Sequence, residues 1–332
     1  MKDRGLYKFS NGKNDLSIYF ILISFIIILE FLSLDFKKFV NHIDIFHEGL
    51  WLTASSNAIF TSELWQSSYV GRGLFGNFYN YFIWKFSDMN TVGISRFVTL
   101  FFMMLNKIVL VFISKSLVEK SLLNDNIKKL FFIILSFLLI GLVSYEIGAS
   151  TFYYRLFGLL VFCIFLLNFF DHFKTISVSF ISIGFLSSIS FFWFIDIAVF
   201  INFTIFLLIL FLAVKRLYPK IIFLVSNIIF GWFLCYIILP EKEFTAFYLN
   251  VYNIFSTIEY IQGLIYPTPF FSGDARSTRA LLLILITGVF VINFLLKKND
   301  EISFETKLSL FFLFIISCIN FKVSAEEFQV LN

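Results

Sequence analysis

Charge is what this sequence has least of. Only 14% of its 332 residues are charged, and 59% are apolar. Mean hydropathy is +0.88. A soluble chain of this length lacks the polar surface to cover such a core, so a soluble globular fold is excluded. Cysteine is also scarce. Cys163, Cys235 and Cys318 all lie in apolar runs, with no paired framework or zinc spacing, and read as small buried hydrophobes. No small-residue cleavage site follows the first apolar run, so it is expected to stay as a helix.

What is abundant is apolar length. Runs of about 20 residues match a bilayer. Nine spans are expected, at roughly 16–34, 92–114, 130–149, 154–170, 176–192, 197–214, 221–239, 280–296 and 308–321. The stretch from 176 to 214 is too long for one crossing, which places a tight turn at Phe192–Asp196. The 51 phenylalanines, with heavy use of Ile, Asn and Lys, follow AT-rich codon usage and face lipid or core. The fold class is therefore all-α: a polytopic transmembrane helical bundle forming a single transmembrane domain over 1–332.

Lysine and arginine give the orientation. Lys2, Arg4, Lys8 and Lys13, then Lys115, Lys120, Lys128 and Lys129, then Lys174, then Lys215, Arg216 and Lys220, then Lys297, Lys298 and Lys307 all fall on one side. That side is the cytoplasm, with the N-terminus in it; Lys37 and Lys38 run against the pattern. These short basic loops fit topology, and no nucleic-acid partner is expected. Two long extracytoplasmic loops result, at 35–91 and 240–278. In the first, "LWLTASSNAIF" and "GNFYNYFIWKF" read as amphipathic helices on the membrane surface. Tyr69, Tyr79, Tyr81, Tyr153, Tyr248, Tyr252, Tyr260 and Tyr266 gather on this outer side, as an interfacial belt or as stacking surfaces for a sugar or prenyl chain.

The scarce titratable groups cluster in one place. "NHIDIFHEGLWLTASS", from Asn41, holds His42, Asp44, His47 and Glu48 just after the first span. On a helix, Asp44 shares a face with His47 and Glu48, and His42 falls off it. Three readings stand: a wet membrane edge, a catalytic carboxylate with supporting groups, or a divalent-cation site on His47, Asp44 and Glu48. Arg276 and Arg279 open a span in "SGDARSTRALLL", where an anion would relieve their opposition to the helix dipole; ordinary snorkelling is the plain alternative. Arg72 in "GRG" and Lys242 are further phosphate candidates. Glu30, Lys107 and Asp196 are charges at membrane depth or edge. Asp196 is expected near the first loop, and Glu30 is expected to pair with a cation such as Arg96.

The segment "DIFHEGLWLTASSNAIFTSELWQSSYVGRGLF", Asp44 to Phe75, follows a first span and opens with an acidic pair. It resembles the first outer loop of the GT-C glycosyltransferases, the group of the protein O-mannosyltransferases and lipid A aminoarabinose transferases. The resemblance covers about 50 residues plus the topology. It implies a lipid-linked sugar donor, usually a polyprenyl-phosphate sugar, and an acidic residue acting as base. Glu48 is the matching position, with Asp44 and His47 beside it. Two departures are visible: His47 precedes Glu48 where the family has two adjacent acids, and the later loop proline is missing. The implied location is the bacterial inner membrane. A transporter or flippase of lipid-linked saccharide, or a polysaccharide polymerase or ligase, is the rival class. Family members continue past the last span, so the chain is expected to be a fragment. The residues do not give the sugar, the acceptor or the oligomeric state.

Overall fold

The computed structural model describes residues 12–32, 47–68, 73–88, 90–119, 121, 124–141, 143, 150–171, 178–262, 270, 275–296, 307, 311 and 314. Among them every regular element is a helix. In chain order these are α1 (Gly12–Leu32), α2 (His47–Thr61), α3 (Leu74–Asn77), α4 (Tyr79–Ser87), α5 (Val92–Glu119) and α6 (Asp125–Gly141). They continue with α7 (Ser150–Asp171), α8 (Val178–Trp193), α9 (Ile195–Val214), α10 (Tyr218–Ile238), α11 (Glu241–Gln262) and α12 (Ala275–Leu296).

Three of the described helices, α5, α9 and α10, are long and apolar enough to cross a membrane. Shorter apolar helical stretches lie at Phe20–Leu29, Tyr153–Phe169, Val178–Trp193 and Ile284–Asn293. The chain is all-α, with the helices of a membrane protein. The expected ninth span, 308–321, lies almost wholly outside the described residues. Ile222, Ile229, Phe233 and Ile237 along α10 are exposed, which in water would be an aggregation surface and in a bilayer is ordinary lipid contact.

The expected turn between α8 and α9 is a single residue. Phe194 is extended (φ −155, ψ 119), its N–H donates to the Ser190 carbonyl at 2.8 Å, and its own carbonyl accepts from Ala198 N–H at 3.0 Å. One extended residue reverses the chain, and α8 and α9 pack against each other. Asp196 sits in the first turn of α9, where a negative charge suits the helix dipole.

The bundle is built around α5, α7 and α8. Helix α5 packs on α1, α6 and α7; helix α8 packs on α7, α9 and α10. Phe162, Leu166 and Phe169 of α7 join Phe180 and Ile183 of α8 and Ile201, Ile205 and Leu208 of α9 in one buried core. The α8–α10 crossing is close because small residues line it. A Cβ on Gly184 would stand 2.5 Å from the Asn227 Cβ, and one on Gly231 would meet the Ser188 hydroxyl. Backbone proximity of this kind drives helix association where there is no hydrophobic effect between spans.

The helices α2, α3 and α4 form a platform over one end of the bundle. That end carries the starts of α5, α7 and α9 and the ends of α8 and α10. The junction is tight at Gly73. Its φ is +90, and a Cβ there would lie 2.9 Å from the Trp193 carbonyl oxygen, so glycine alone fits. A second buried cluster, including Ala58, Trp65, Phe78, Phe192 and Phe247, joins the platform to the α8–α9 turn and to α11.

The region expected as a second long loop is largely the helix α11. It is fastened to the turn after α2. The Glu243 carboxylate accepts from the Leu64 N–H at 2.9 Å and the Trp65 N–H at 2.7 Å. The Asn250 amide donates to the Trp65 and Ser68 carbonyls at 3.0 and 3.2 Å. The two regions expected as long loops, separate in the sequence, are thus fastened together.

Candidate functional site

Glu48 lies in the first turn of α2, and its side chain turns inward to the start of α5. Arg96 meets it with a two-pronged fork: Nε donates to Oε1 at 2.8 Å and Nη2 to Oε2 at 2.6 Å. Both side chains are buried, 8% and 4% exposed. The side chain of Glu30, the expected partner of Arg96, lies outside the described residues; the carboxylate that Arg96 meets here comes from the platform helix α2.

The pair sits in a buried polar layer. Ser95 donates to the Asn80 carboxamide oxygen, linking α5 to α4. Ser55 donates to the Asn77 carbonyl at 3.3 Å, linking α2 to α3. Trp51, one turn past Glu48, faces Tyr79 with ring centroids 6.4 Å apart. Tyr79 in turn lies 4.8 Å from Tyr154 of α7. The Tyr154 hydroxyl is 3.4 Å from that of Thr99, and its carbonyl accepts the Trp193 indole N–H at 2.8 Å.

Beside this layer is an open groove of about 420 Å³. Phe75, Tyr79, Phe82, Ile83 and Phe86 wall it on the platform side, and Ile94, Val98, Phe102 and Tyr154 on the bundle side. Apart from Ser87 and the two tyrosine hydroxyls its lining side chains are hydrocarbon. It follows the first three turns of α5, so it runs from the platform along that helix. Phe97 and Phe101, on the same stretch of α5, are exposed. Its inner wall is stiff: Phe75 stacks on Trp193 at 3.9 Å, and Phe102 packs on Tyr154 at 4.5 Å.

A second buried pair lies at the same end. Arg155 Nη2 is 2.6 Å from Asp196 Oδ2, with side chains 9% and 23% exposed. The Arg155 guanidinium also lies 5.1 Å from the Phe194 ring centre. Asp196 thus lies at the start of α9, at the platform end of the bundle, held by a partner from α7.

The remaining candidates are scattered. Lys242 is exposed on α11, while its neighbour Glu243 is buried and does the fastening. Arg279 is exposed on α12. Asp44, His42 and Arg72, and the side chains of His47, Arg276 and Glu30, lie outside the described residues. Among the described residues no three His, Cys, Asp or Glu side chains gather as a metal site. Lys107 is buried in α5, next to Asn106, whose amide donates to the Tyr153 carbonyl at 2.9 Å. Tyr248 of α11 packs on Phe244 at 5.0 Å. Burial first, then the neighbouring Cys235 thiol, push its phenol up to about 12, so it is a neutral hydroxyl under working conditions.

Arg155 and Glu243 are residues that sequence reasoning passed over, and Arg96 was read only as a cation for Glu30. The signal for both arginines was present, since each stands in an apolar run where a charge is costly and needs a partner. Glu243 gave no such signal, because an acid in an outer loop reads as solvated.

The fold and this end of it define the class: an all-α membrane protein with a polar layer and an apolar groove under a helical platform. Comparison with protein-family models, curated proteins and solved structures finds no match to this chain.

Proposed function

We propose that this chain is a membrane glycosyltransferase, moving a sugar from a polyprenyl-phosphate donor to an acceptor at the extracytoplasmic face. The observation that carries the reading is the groove. It offers an aromatic-walled track for a hydrocarbon chain, and Tyr79, which lines it, packs on Trp51, one helical turn from the buried Glu48 carboxylate. A donor with a long chain and a polar head needs both features within one molecule's reach.

The proposed step uses Glu48. The acceptor O–H gives its proton to the carboxylate as its oxygen bonds the anomeric carbon. The bond from that carbon to the phosphate oxygen breaks, and the phosphate leaves with the electron pair. The Arg96 fork meets both carboxylate oxygens, one prong on each. The fork also fixes the carboxylate's direction. Arg276, Arg279, Arg72 and Lys242 are the cations proposed for the phosphate, and Asp196 borders the substrate. Asp44 and His47 support the base or, with it, hold a divalent cation.

The test is donor consumption. Proteoliposomes holding the protein and radiolabelled polyprenyl-phosphate sugar, supplied with envelope extract as acceptor source, are expected to release polyprenyl phosphate. Phe82→Glu, which puts a charge in the groove, is expected to stop that release. Movement of intact donor across the bilayer without sugar loss would assign a flippase instead, and donor neither consumed nor moved would refute the proposal.

Nine spans with the N-terminus in the cytoplasm complete the reading, with the platform outside. Reporter fusions at Lys120, Lys215 and Lys298 are expected to read cytoplasmic, and fusions at Asn57 and Asn250 periplasmic. A periplasmic signal at Lys215 overturns this arrangement.

A further inference from the structure

Two N–H donors at the junction of α2, α4 and α5 have no acceptor. Trp51 Nε1 and Asn80 Nδ2 are both buried and without a hydrogen-bond partner, in residues 3% and 0% exposed. Nearly all buried donors in folded proteins are paired, so two at one junction need a reason. Their surroundings supply it. Trp51 lies one helical turn from Glu48 on α2. Asn80 is bonded through its carbonyl oxygen to Ser95, the neighbour of Arg96. Tyr79 contacts the Trp51 ring on one side and the Tyr154 ring on the other, and it lines the groove. Tyr79 therefore links the apolar groove to the junction that carries the two unmet donors.

We propose that these two donors take the polar head of an amphiphile whose hydrocarbon chain lies in the groove, with Tyr79 turning aside to open a headgroup pocket at the junction. Indole and carboxamide N–H groups only donate, so they select oxygen: hydroxyl, ether or phosphoryl. An ammonium head, itself a donor, leaves them unmet. A bare hydrocarbon fills the groove and leaves them unmet too. The ligand is thus a prenyl or acyl chain bearing a phosphate or hydroxyl-rich head. This deepens the transferase reading and rests on it for the kind of amphiphile, but the pocket's recognition is a matter of binding, not turnover.

The experiment uses the full chain in phosphatidylcholine nanodiscs, with the indole nitrogens of its five tryptophans labelled with ¹⁵N. The probe is polyprenyl phosphate. It is expected to move the Trp51 N–H resonance, assigned by elimination across the tryptophans. Trp51→Phe, which keeps an aromatic ring, and Asn80→Leu are each expected to weaken binding about three- to tenfold, the loss of one neutral hydrogen bond. An isoprenoid hydrocarbon without a head is expected to compete for the groove and leave the resonance in place. A Trp51 resonance unmoved at saturation, or unchanged affinity in a folded Trp51→Phe variant, overturns the proposal. So does an equal shift from inorganic phosphate alone, which would mark a free-anion site. If Trp51→Phe does not fold, the wild-type resonance still decides. Binding with the Trp51 shift but no sugar transfer would sink the transferase reading and leave the headgroup pocket standing. Transfer without the shift would do the reverse.

Discussion

Arg96→Met is expected to cost about 3–5 kcal/mol of stability, the scale seen when one member of a buried ion pair is removed. The reason lies at Glu48. Its side chain is 8% exposed, and Arg96 meets both of its oxygens. Met fills much of the same volume but offers no donor, so the buried carboxylate loses the fork that holds both of its oxygens. The double variant Glu48→Leu, Arg96→Met removes both charges and is expected to recover most of the loss, since well-packed apolar replacements of a buried pair are often neutral or better. The measurement is thermal unfolding of all three proteins in the same detergent. A single variant as stable as wild type would mean that Glu48 reaches water and that α2 is not seated on α5.

The contrast between that pair and its sequence signal shows what was legible. The helices were legible because lipid imposes them: long apolar runs have no other way to satisfy their backbone. The reversal near Phe194 was legible from length alone, because one span could not hold 176–214. The cluster around Glu48 was legible because charge is scarce. Partner choice was not. Glu48 and Arg96 are 48 positions apart, and only the return of α2 over the bundle brings them together. The sequence pointed Arg96 to an acid in the first span, and the platform supplies one that spacing does not show. Glu243 was hidden for a similar reason, since its two backbone partners belong to a turn 178 and 179 residues earlier in the chain. The groove could not be read at all, because its walls come from α3, α4, α5 and α7 and no one of them carries its pattern. Of the phosphate candidates, the exposed Lys242 and Arg279 stand apart from the groove's lining residues, and the two arginines that the fold buries at the platform end were not among them.

Glu48→Gln is expected to lower sugar transfer by at least about 100-fold, the low end for losing a positioned base. Gln is nearly isosteric, and its amide oxygen still accepts one prong of the Arg96 fork, so the platform should stay closed and the donor should still bind. The charge exchange Glu48→Arg with Arg96→Glu separates structure from chemistry. It rebuilds an ion pair between α2 and α5, and stability should return toward wild type. It also moves the carboxylate from the platform to the span, so transfer should stay lost. Asp44→Asn should cost less than Glu48→Gln if Asp44 only supports the base. Chelators distinguish the metal version, because a cation held by His47, Asp44 and Glu48 makes activity chelator-sensitive and His47→Ala severe. Near-normal transfer by Glu48→Gln, or by the charge exchange, would strip Glu48 of its chemical role. The pair with Arg96 would then be only the clasp that seats the platform on the membrane bundle.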